Sequence, residues 1–131
     1  MPDDSVADDE VVIRHIPGGT TWQAPGPRIT SKNFEVRTAR GETGVSVSRQ
    51  ALTPPEALMA RLGNAAAGSR IAVARVRAIR DLGLEVVPDP KDYDAGHAEI
   101  RSGTADVTSQ PVRKALALLF VFLPSEPAAP P

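Results

Sequence analysis

The sequence predicts an α+β fold, in which a small, mostly antiparallel sheet is packed by two or three helices. Three observations lead to this prediction: short runs of β-branched or alternating residues, two segments with helix-start signals, and the absence of an internal repeat. A chain of 131 residues suits one domain. Aromatic residues make up only 4% of it, so we expect a mainly aliphatic core.

Five segments have the pattern of short strands. Residues 11–16 are rich in β-branched side chains. Residues 34–37 and 44–48 alternate apolar and polar positions, and the turn-forming residues between them predict a hairpin. Two more strands are expected at residues 84–87 and 97–101.

Helix-start signals precede two segments. Thr53 is followed by two prolines and Glu56, which predicts a short helix with Thr53 as its cap. Ser109 and Pro111 predict a final helix that includes residues 115–122 and is apolar on every face. Such a helix is either buried or in contact with a partner.

Residues 70–82 fit two descriptions. The first is a strand over 70–75 followed by a short helix over 76–82 that ends at Gly83. The second is a single helix across the whole segment. The apolar spacing alone does not decide between them.

Charge is unevenly distributed along the chain. Residues 1–10 contain five of the 16 acidic side chains and no Lys or Arg, so the remainder has 15 basic and 11 acidic groups, a net charge of +4. We expect a disordered acidic tail at 1–10, one domain at 11–123, and a Pro-rich extended tail at 124–131.

Composition excludes several classes of site. The chain has no cysteine, which rules out disulfides, thiolate metal sites and a cysteine nucleophile. Its longest apolar run, residues 115–123, is far shorter than the roughly 20 residues that span a bilayer. We therefore expect a cytoplasmic protein with no membrane partner.

Residues 89–99 contain four carboxylates, a histidine and a tyrosine. Oxygen-rich loops suit hard divalent ions such as Mg²⁺, and a neutral histidine can act as a base or as a ligand for Zn²⁺. The catalytic candidates are His97, Asp94 and Glu99. The candidate metal ligands are Asp92, Asp94, His97 and Glu99. The alternative is a solvated Asp-Pro turn in which His97 bonds loop backbone.

Two further groups of residues are candidates for binding. The densest basic run predicts an anion or nucleic-acid site, with a solvated, ion-paired face as the alternative; its members are Arg70, Arg75, Arg77 and Arg80. The other group predicts an interface with another protein or with a second copy of the chain. Its members are Trp22, Leu119, Phe120 and Phe122.

The order of motifs resembles a small, poorly characterised bacterial protein family with an Asp-Pro…His-Ala-x-Ile segment. The matching residues are Arg14, His15, Ile16, Pro17, Trp22, Phe34, 45–47, 53–56, 82–86, Asp89, Pro90 and 97–100. This resemblance implies a shared fold, a role for His97 and larger partner genes nearby. It implies no particular activity.

Three functions follow as hypotheses. The first is an accessory or protein-interaction subunit of a larger bacterial assembly, since no motif fixes a reaction. The second is a small metal-dependent hydrolase or nuclease that uses residues 89–99. The third is an anion or nucleic-acid-binding module that uses the basic run. A serine hydrolase is disfavoured because Ser46 and Ser48 have no His-Asp companion that the sequence identifies.

Overall fold

A computed structural model describes residues 5–17, 29–63 and 69–123 of the chain. Its strands are β1 (Val11–Ile16), β2 (Val45–Arg49), β3 (Arg70–Arg75), β4 (Leu84–Pro88), β5 (His97–Ser102) and β6 (Val121–Phe122). Its helices are α1 (Pro55–Leu62), α2 (Val76–Asp81) and α3 (Gln110–Leu119), with 3-10 helices at Ser31–Phe34 and Thr38–Arg40. The strands pair antiparallel in the order β4-β5-β2-β1-β3-β6, which confirms the predicted α+β class.

One face of the sheet, the packed face, carries the main core. Alternate strand residues such as Val12, Val47 and Ile100 point to this face, where α2 and α3 cover them. Leu116 of α3 is completely buried there, and so is Phe34 from the first 3-10 helix. The core is mainly aliphatic, as the composition predicts.

The second face of the sheet is divided into an apolar half and a polar half. On the β1–β3 side, Leu58 of α1 packs on Ile13 and Ile71 in a separate small cluster. On the β2–β5 side the register pairs Ser48 with His97 and Ser46 with Glu99. We call these four residues the polar half of the second face.

The segment at residues 70–82 is a strand followed by a helix, as the first of the two descriptions predicts. Strand β3 pairs with β1 along all six of its residues, and α2 begins immediately afterwards at Val76. The chain leaves α2 through Gly83, which has a φ of 90°. This left-handed conformation favours glycine, so the stop signal has a direct structural basis.

The predicted strand at residues 34–37, and the hairpin it was expected to form, are wrong. Phe34 ends a 3-10 helix, in which the Thr30 N–H donates to Asn33 Oδ1 at 2.8 Å. The Phe34 ring packs 4.9 Å from the ring of Phe120, centroid to centroid. This long-range contact overrides the local alternation, and β2 pairs with β1 and β5 instead.

Two helix predictions also need correction. The final apolar segment is not one helix: α3 ends at Leu119, and residues 121–122 form β6 beside β3. The cap of α1 is Pro54 rather than Thr53. The Thr53 hydroxyl instead donates to the carboxylate of Asp94.

Part of the acidic segment 1–10 packs on the domain. Val6 is 2% exposed and belongs to the main core, and Glu10 forms a two-bond ion pair with Arg49. Residues 1–4 and the Pro-rich segment 124–131 lie outside the described residues. Across the residues that are described, no helix is long and apolar enough to cross a membrane.

Candidate functional site

Asp94 lies at the centre of a hydrogen-bond cluster on the second face of the sheet. Its side chain has no exposed surface. Oδ2 accepts a hydrogen bond of 2.6 Å from Ser48 Oγ and lies 3.3 Å from Arg61 Nη1. Oδ1 accepts from Thr53 Oγ1 and, at 3.1 Å, from the Gly96 N–H. One carboxylate thus joins the loop before β5 to β2 and to both ends of α1.

The surroundings of Asp94 favour its ionised form. Burial by itself raises the pKa of this carboxyl group. The hydrogen bonds from Ser48, Thr53 and Gly96, together with Arg61, outweigh burial and hold the pKa below its ordinary value. A carboxylate with this many donors and a lowered pKa is a poor proton acceptor, so it serves to position its neighbours.

His97 faces the preceding loop through one edge of its ring. Its Nδ1 lies 2.9 Å from the carbonyl oxygen of Asp89 and 3.3 Å from Asp89 Oδ2. A carbonyl can only accept, so Nδ1 carries a hydrogen and donates it. This is the backbone contact that the solvated-turn alternative predicts. In the neutral ring Nε2 then keeps its lone pair.

The four candidate metal ligands do not converge. Glu99 accepts hydrogen bonds from Thr43 and Arg101, both at 2.8 Å, and Asp92 is exposed in the loop. Asp94 is enclosed by the donors given above. No group of three or more His, Cys, Asp or Glu side chains among the described residues comes together to hold a metal ion. The predicted divalent-metal site therefore has no support from the geometry.

A hydrolase triad consists of a serine, a histidine and an acidic residue, and this site contains Ser48, His97 and Asp94. Their hydrogen bonds, however, connect them in a different order from that of a triad. Ser48 is the cross-strand partner of His97, but its hydroxyl donates to Asp94. In a catalytic triad the serine donates to the histidine, and the carboxylate orients the histidine from the far side. The arrangement locks the serine hydroxyl in place and does not activate it.

The predicted anion site of the basic run is not assembled either. Arg70 and Arg75 stand at opposite ends of β3, about 17 Å apart at 3.3 Å per residue. Arg80 pairs with Asp8 at 2.6 Å, and Arg70 donates to the Leu123 carbonyl at 2.8 Å. The fourth member, Arg77, is exposed on α2. These four side chains share no single surface.

The predicted interface residues are mostly internal. Phe120 is 3% exposed and belongs to the main core, while Leu119 and Phe122 are partly buried against it. Trp22 lies outside the described residues. The large exposed apolar side chains in this region are Leu118 and Val121, which the sequence pattern does not distinguish from their neighbours.

A groove of about 960 Å³ lies beside Asp94, and its lining includes residues from both faces of the sheet, such as Ile13 from the second face and Arg14 from the packed face. Residues of β1 and β2 form its floor, and Leu58, Arg61 and Leu62 of α1 form one wall. Asp94, which pairs with Arg61, and His97 also line it, as do Lys32 and Asn33 of the first 3-10 helix. We call this space the β1–β2 groove. It brings the sequence candidates Asp94 and His97 to the edge of a cavity rather than to its centre.

Among the positively charged side chains that line the β1–β2 groove, Arg14 has the most unusual environment. Its Nε donates to the Asn33 carbonyl at 2.8 Å, its Nη1 donates to the Ser46 carbonyl, and its guanidinium carbon lies 5.6 Å from the centre of the Phe34 ring. No carboxylate of the described residues forms an ion pair with it. Burial lowers the pKa of Arg14 to about 10, although the charge of Glu42 opposes that shift.

His15 lies next to Arg14 along β1 and also lines the groove. Burial lowers the pKa of His15, and the adjacent charge of Arg14 lowers it further. Its Nε2 atom is buried and has no hydrogen-bond partner within the described part of the chain. Buried polar atoms normally have a partner, so this atom is an exception within the described residues.

The sequence analysis gave no binding role to Arg14 or Arg61, and it considered Ser48 only as a hydrolase serine. A signal for Arg14 was present: with a period of two, it falls between Val12 and Ile16 on the core-facing side of a strand. An arginine at such a position requires internal acceptors. Ser48 and Arg61 gave no comparable signal, because they meet Asp94 only through tertiary packing.

Comparison with known proteins gives no match to a family model, to a curated protein or to a solved structure. The function has therefore to be inferred from the residues and their geometry.

Proposed function

We propose that this protein is an accessory, protein-interaction subunit of a larger bacterial assembly, and that the β1–β2 groove binds an acidic segment of its partner. The observation that carries this proposal is Arg14. A guanidinium that lines a cavity and is held only by carbonyls and an aromatic ring keeps its full positive charge available to an anion. A cytoplasmic location is part of the same proposal.

The charges around the groove support an acidic partner. Lys32 and Arg37 are exposed at its rim, where screening by salt is strong and charges mainly increase the association rate. Asp94 is neutralised by Arg61 inside the groove. Glu42 accepts a hydrogen bond from the Arg37 N–H at 2.7 Å, which directs this carboxylate toward its own loop. Glu35 also lines the groove and is exposed, so four Lys or Arg side chains of the lining stand against three carboxylates. Within the described residues, Arg14 is the partly buried charge of the groove that forms no ion pair.

The carboxylates best placed for acid–base chemistry have internal partners, which supports binding over catalysis. Asp94 accepts from Ser48, Thr53 and Gly96, and Glu99 accepts from Thr43 and Arg101. Each would have to break existing hydrogen bonds before it could accept a proton from a substrate.

A charge reversal at the rim tests this proposal. Lys32→Glu changes the groove, and Lys114→Glu makes the same change on the exposed side of α3, outside the groove. The tagged full-length chain and both variants would be expressed in the native cells, and the copurifying proteins would be quantified by mass spectrometry. We expect one partner, or a second copy of this chain, to fall at least fivefold with Lys32→Glu and to stay within twofold with Lys114→Glu.

Equal recovery of every copurifying protein with the two variants would contradict the role of the groove. A chain that copurifies with nothing, and sediments as a monomer, would contradict the interaction function itself.

A further inference from the structure

The sheet separates between its two central strands. Strands β1 and β2 pair only at Val12↔Arg49 and Ile13↔Ser48. On its other side β1 stays paired with β3 as far as Ile16, and β2 stays paired with β5 as far as Val45. The two halves of the sheet are thus each complete, and a split opens between residues 14–16 and residues 45–47.

The alternation of an antiparallel ladder shows which peptide groups face the split. The Gln50 N–H donates to the Val11 carbonyl at 3.0 Å, so Val11 and Gln50, and then Ile13 and Ser48, are the hydrogen-bonded pairs. The next such pair would be His15 and Ser46. Because the ladder ends before it, the peptide N–H and carbonyl groups of His15 and Ser46 point into the split.

The Arg14 side chain reaches across the split and hydrogen-bonds to the Ser46 carbonyl. It donates to that carbonyl from the β1 side and to the Asn33 carbonyl at the end of the groove. The Ser46 carbonyl is therefore used. The groups that remain are three donors, namely the guanidinium and the peptide N–H groups of His15 and Ser46, and one acceptor, the His15 carbonyl, so donors outnumber acceptors. The buried Nε2 of His15 adds one more polar atom without a partner among the described residues.

On the basis of the function proposed above, we propose that this split binds a carboxylate group of the partner segment. The two oxygens would accept hydrogen bonds from the Arg14 guanidinium and from the peptide N–H groups of His15 and Ser46. A carboxylate fits better than a phosphate because one guanidinium matches a single negative charge, and because a flat group fits between two diverging strands. Its source would be an acidic side chain or the C-terminus of the partner.

The test is a titration of the ¹⁵N-labelled full-length protein with acetate, followed by ¹H–¹⁵N NMR. We expect millimolar binding, with the largest shifts at the amides of His15 and Ser46 and at Arg14 Nε–H. Inorganic phosphate at the same ionic strength should bind at least fivefold more weakly. Shifts confined to other residues, or tighter binding of phosphate, would overturn the proposal.

Two substitutions sharpen the test. Arg14→Lys should weaken acetate binding at least tenfold, because the planar donor pair is lost, whereas Arg77→Lys, on α2 and outside the groove, should change it less than twofold. Equal affinities in the two variants would also overturn the proposal. If Arg14→Lys does not fold, the shift map of the wild-type protein decides by itself.

Two peptides distinguish the source of the carboxylate. One is N-acetyl-Gly-Asp-Gly-amide, with a side-chain carboxylate only, and the other is N-acetyl-Gly-Gly-Gly with a free C-terminus. The peptide that shifts the His15 and Ser46 amide signals at the lower concentration identifies the source of the carboxylate. If neither peptide nor acetate shifts these signals, the site is refuted. The two failures are distinguishable: loss of a partner with Lys32→Glu, together with no binding of acetate or of either peptide, would keep the groove as an interface and refute only the carboxylate site.

Discussion

Ser48 Oγ donates a hydrogen bond of 2.6 Å to Asp94 Oδ2, and this contact joins residues 46 positions apart in the chain. It places the loop before β5 against the C-terminal part of β2. Thr53 and Arg61 bring α1 to the same carboxylate. The wall of the β1–β2 groove therefore depends on one buried charge, and the geometry of the groove depends on Asp94.

Removal of the Asp94 carboxylate should destabilise the fold. Asp94→Ala leaves Ser48, Thr53 and the Gly96 N–H without their acceptor, so we expect a loss of about 2–3 kcal/mol in the free energy of unfolding. Asp92→Ala, in the same loop but exposed, should cost less than about 0.5 kcal/mol. Urea denaturation at pH 7 measures both, and similar losses would show that Asp94 has no central role.

The contribution of Asp94 should depend on pH in one direction. Its folded pKa lies below the ordinary value of 3.8, so its stabilising effect is complete above about pH 3.8 and is lost as the pH falls through the folded pKa. The difference in unfolding free energy between wild type and Asp94→Asn should therefore shrink below pH 3.8. A difference that stays constant or grows in acid would contradict a lowered pKa.

Residues 5–10 should contribute to stability through Val6. Val6 is 2% exposed in the core, whereas Val121 is 58% exposed on the edge strand β6. We expect Val6→Ala to cost about 2 kcal/mol and Val121→Ala less than about 0.5 kcal/mol. Thermal unfolding of the two variants compares identical changes at a buried and an exposed site. Indistinguishable melting temperatures would place Val6 outside the core.

Gly96 should tolerate no side chain. A Cβ atom there would lie 2.5 Å from Thr53 Oγ1 and 3.1 Å from the Arg49 carbonyl, and Thr53 is held by Asp94. Gly96→Ala should therefore destabilise the protein by about 2 kcal/mol, since an overpacked site must shift its neighbours. Ala95→Ser, at the exposed preceding position, is the control. Denaturant midpoints that move equally in both variants would disprove the close packing.

Local sequence signals left two alternatives at residues 70–82. The strand followed by a helix is the one that forms, with β3 paired along β1 and α2 followed by Gly83. Local signals failed at residues 34–37, where the burial of Phe34 against Phe120 decides the conformation. A contact between residues so far apart leaves no local pattern.

The candidate site was predicted in part for the same reason. Asp94 and His97 were identified because acidic and imidazole groups are concentrated in one loop. Their partners were not identifiable, because Ser48 reaches Asp94 only through the pairing of β2 with β5. The groove itself arises from the separation of β1 and β2, which strand patterns do not encode.

The central claim, that the β1–β2 groove binds a partner, is tested most directly by blocking the groove. Ser46 is exposed within it, and Glu85 is an exposed strand residue of the same sheet outside it. Full-length Ser46→Arg and Glu85→Arg would be captured from the native cells beside wild type, after circular dichroism has shown that both are folded. Our account predicts that the partner is lost at least tenfold with Ser46→Arg and retained within twofold with Glu85→Arg. Retention of the partner by Ser46→Arg would contradict it.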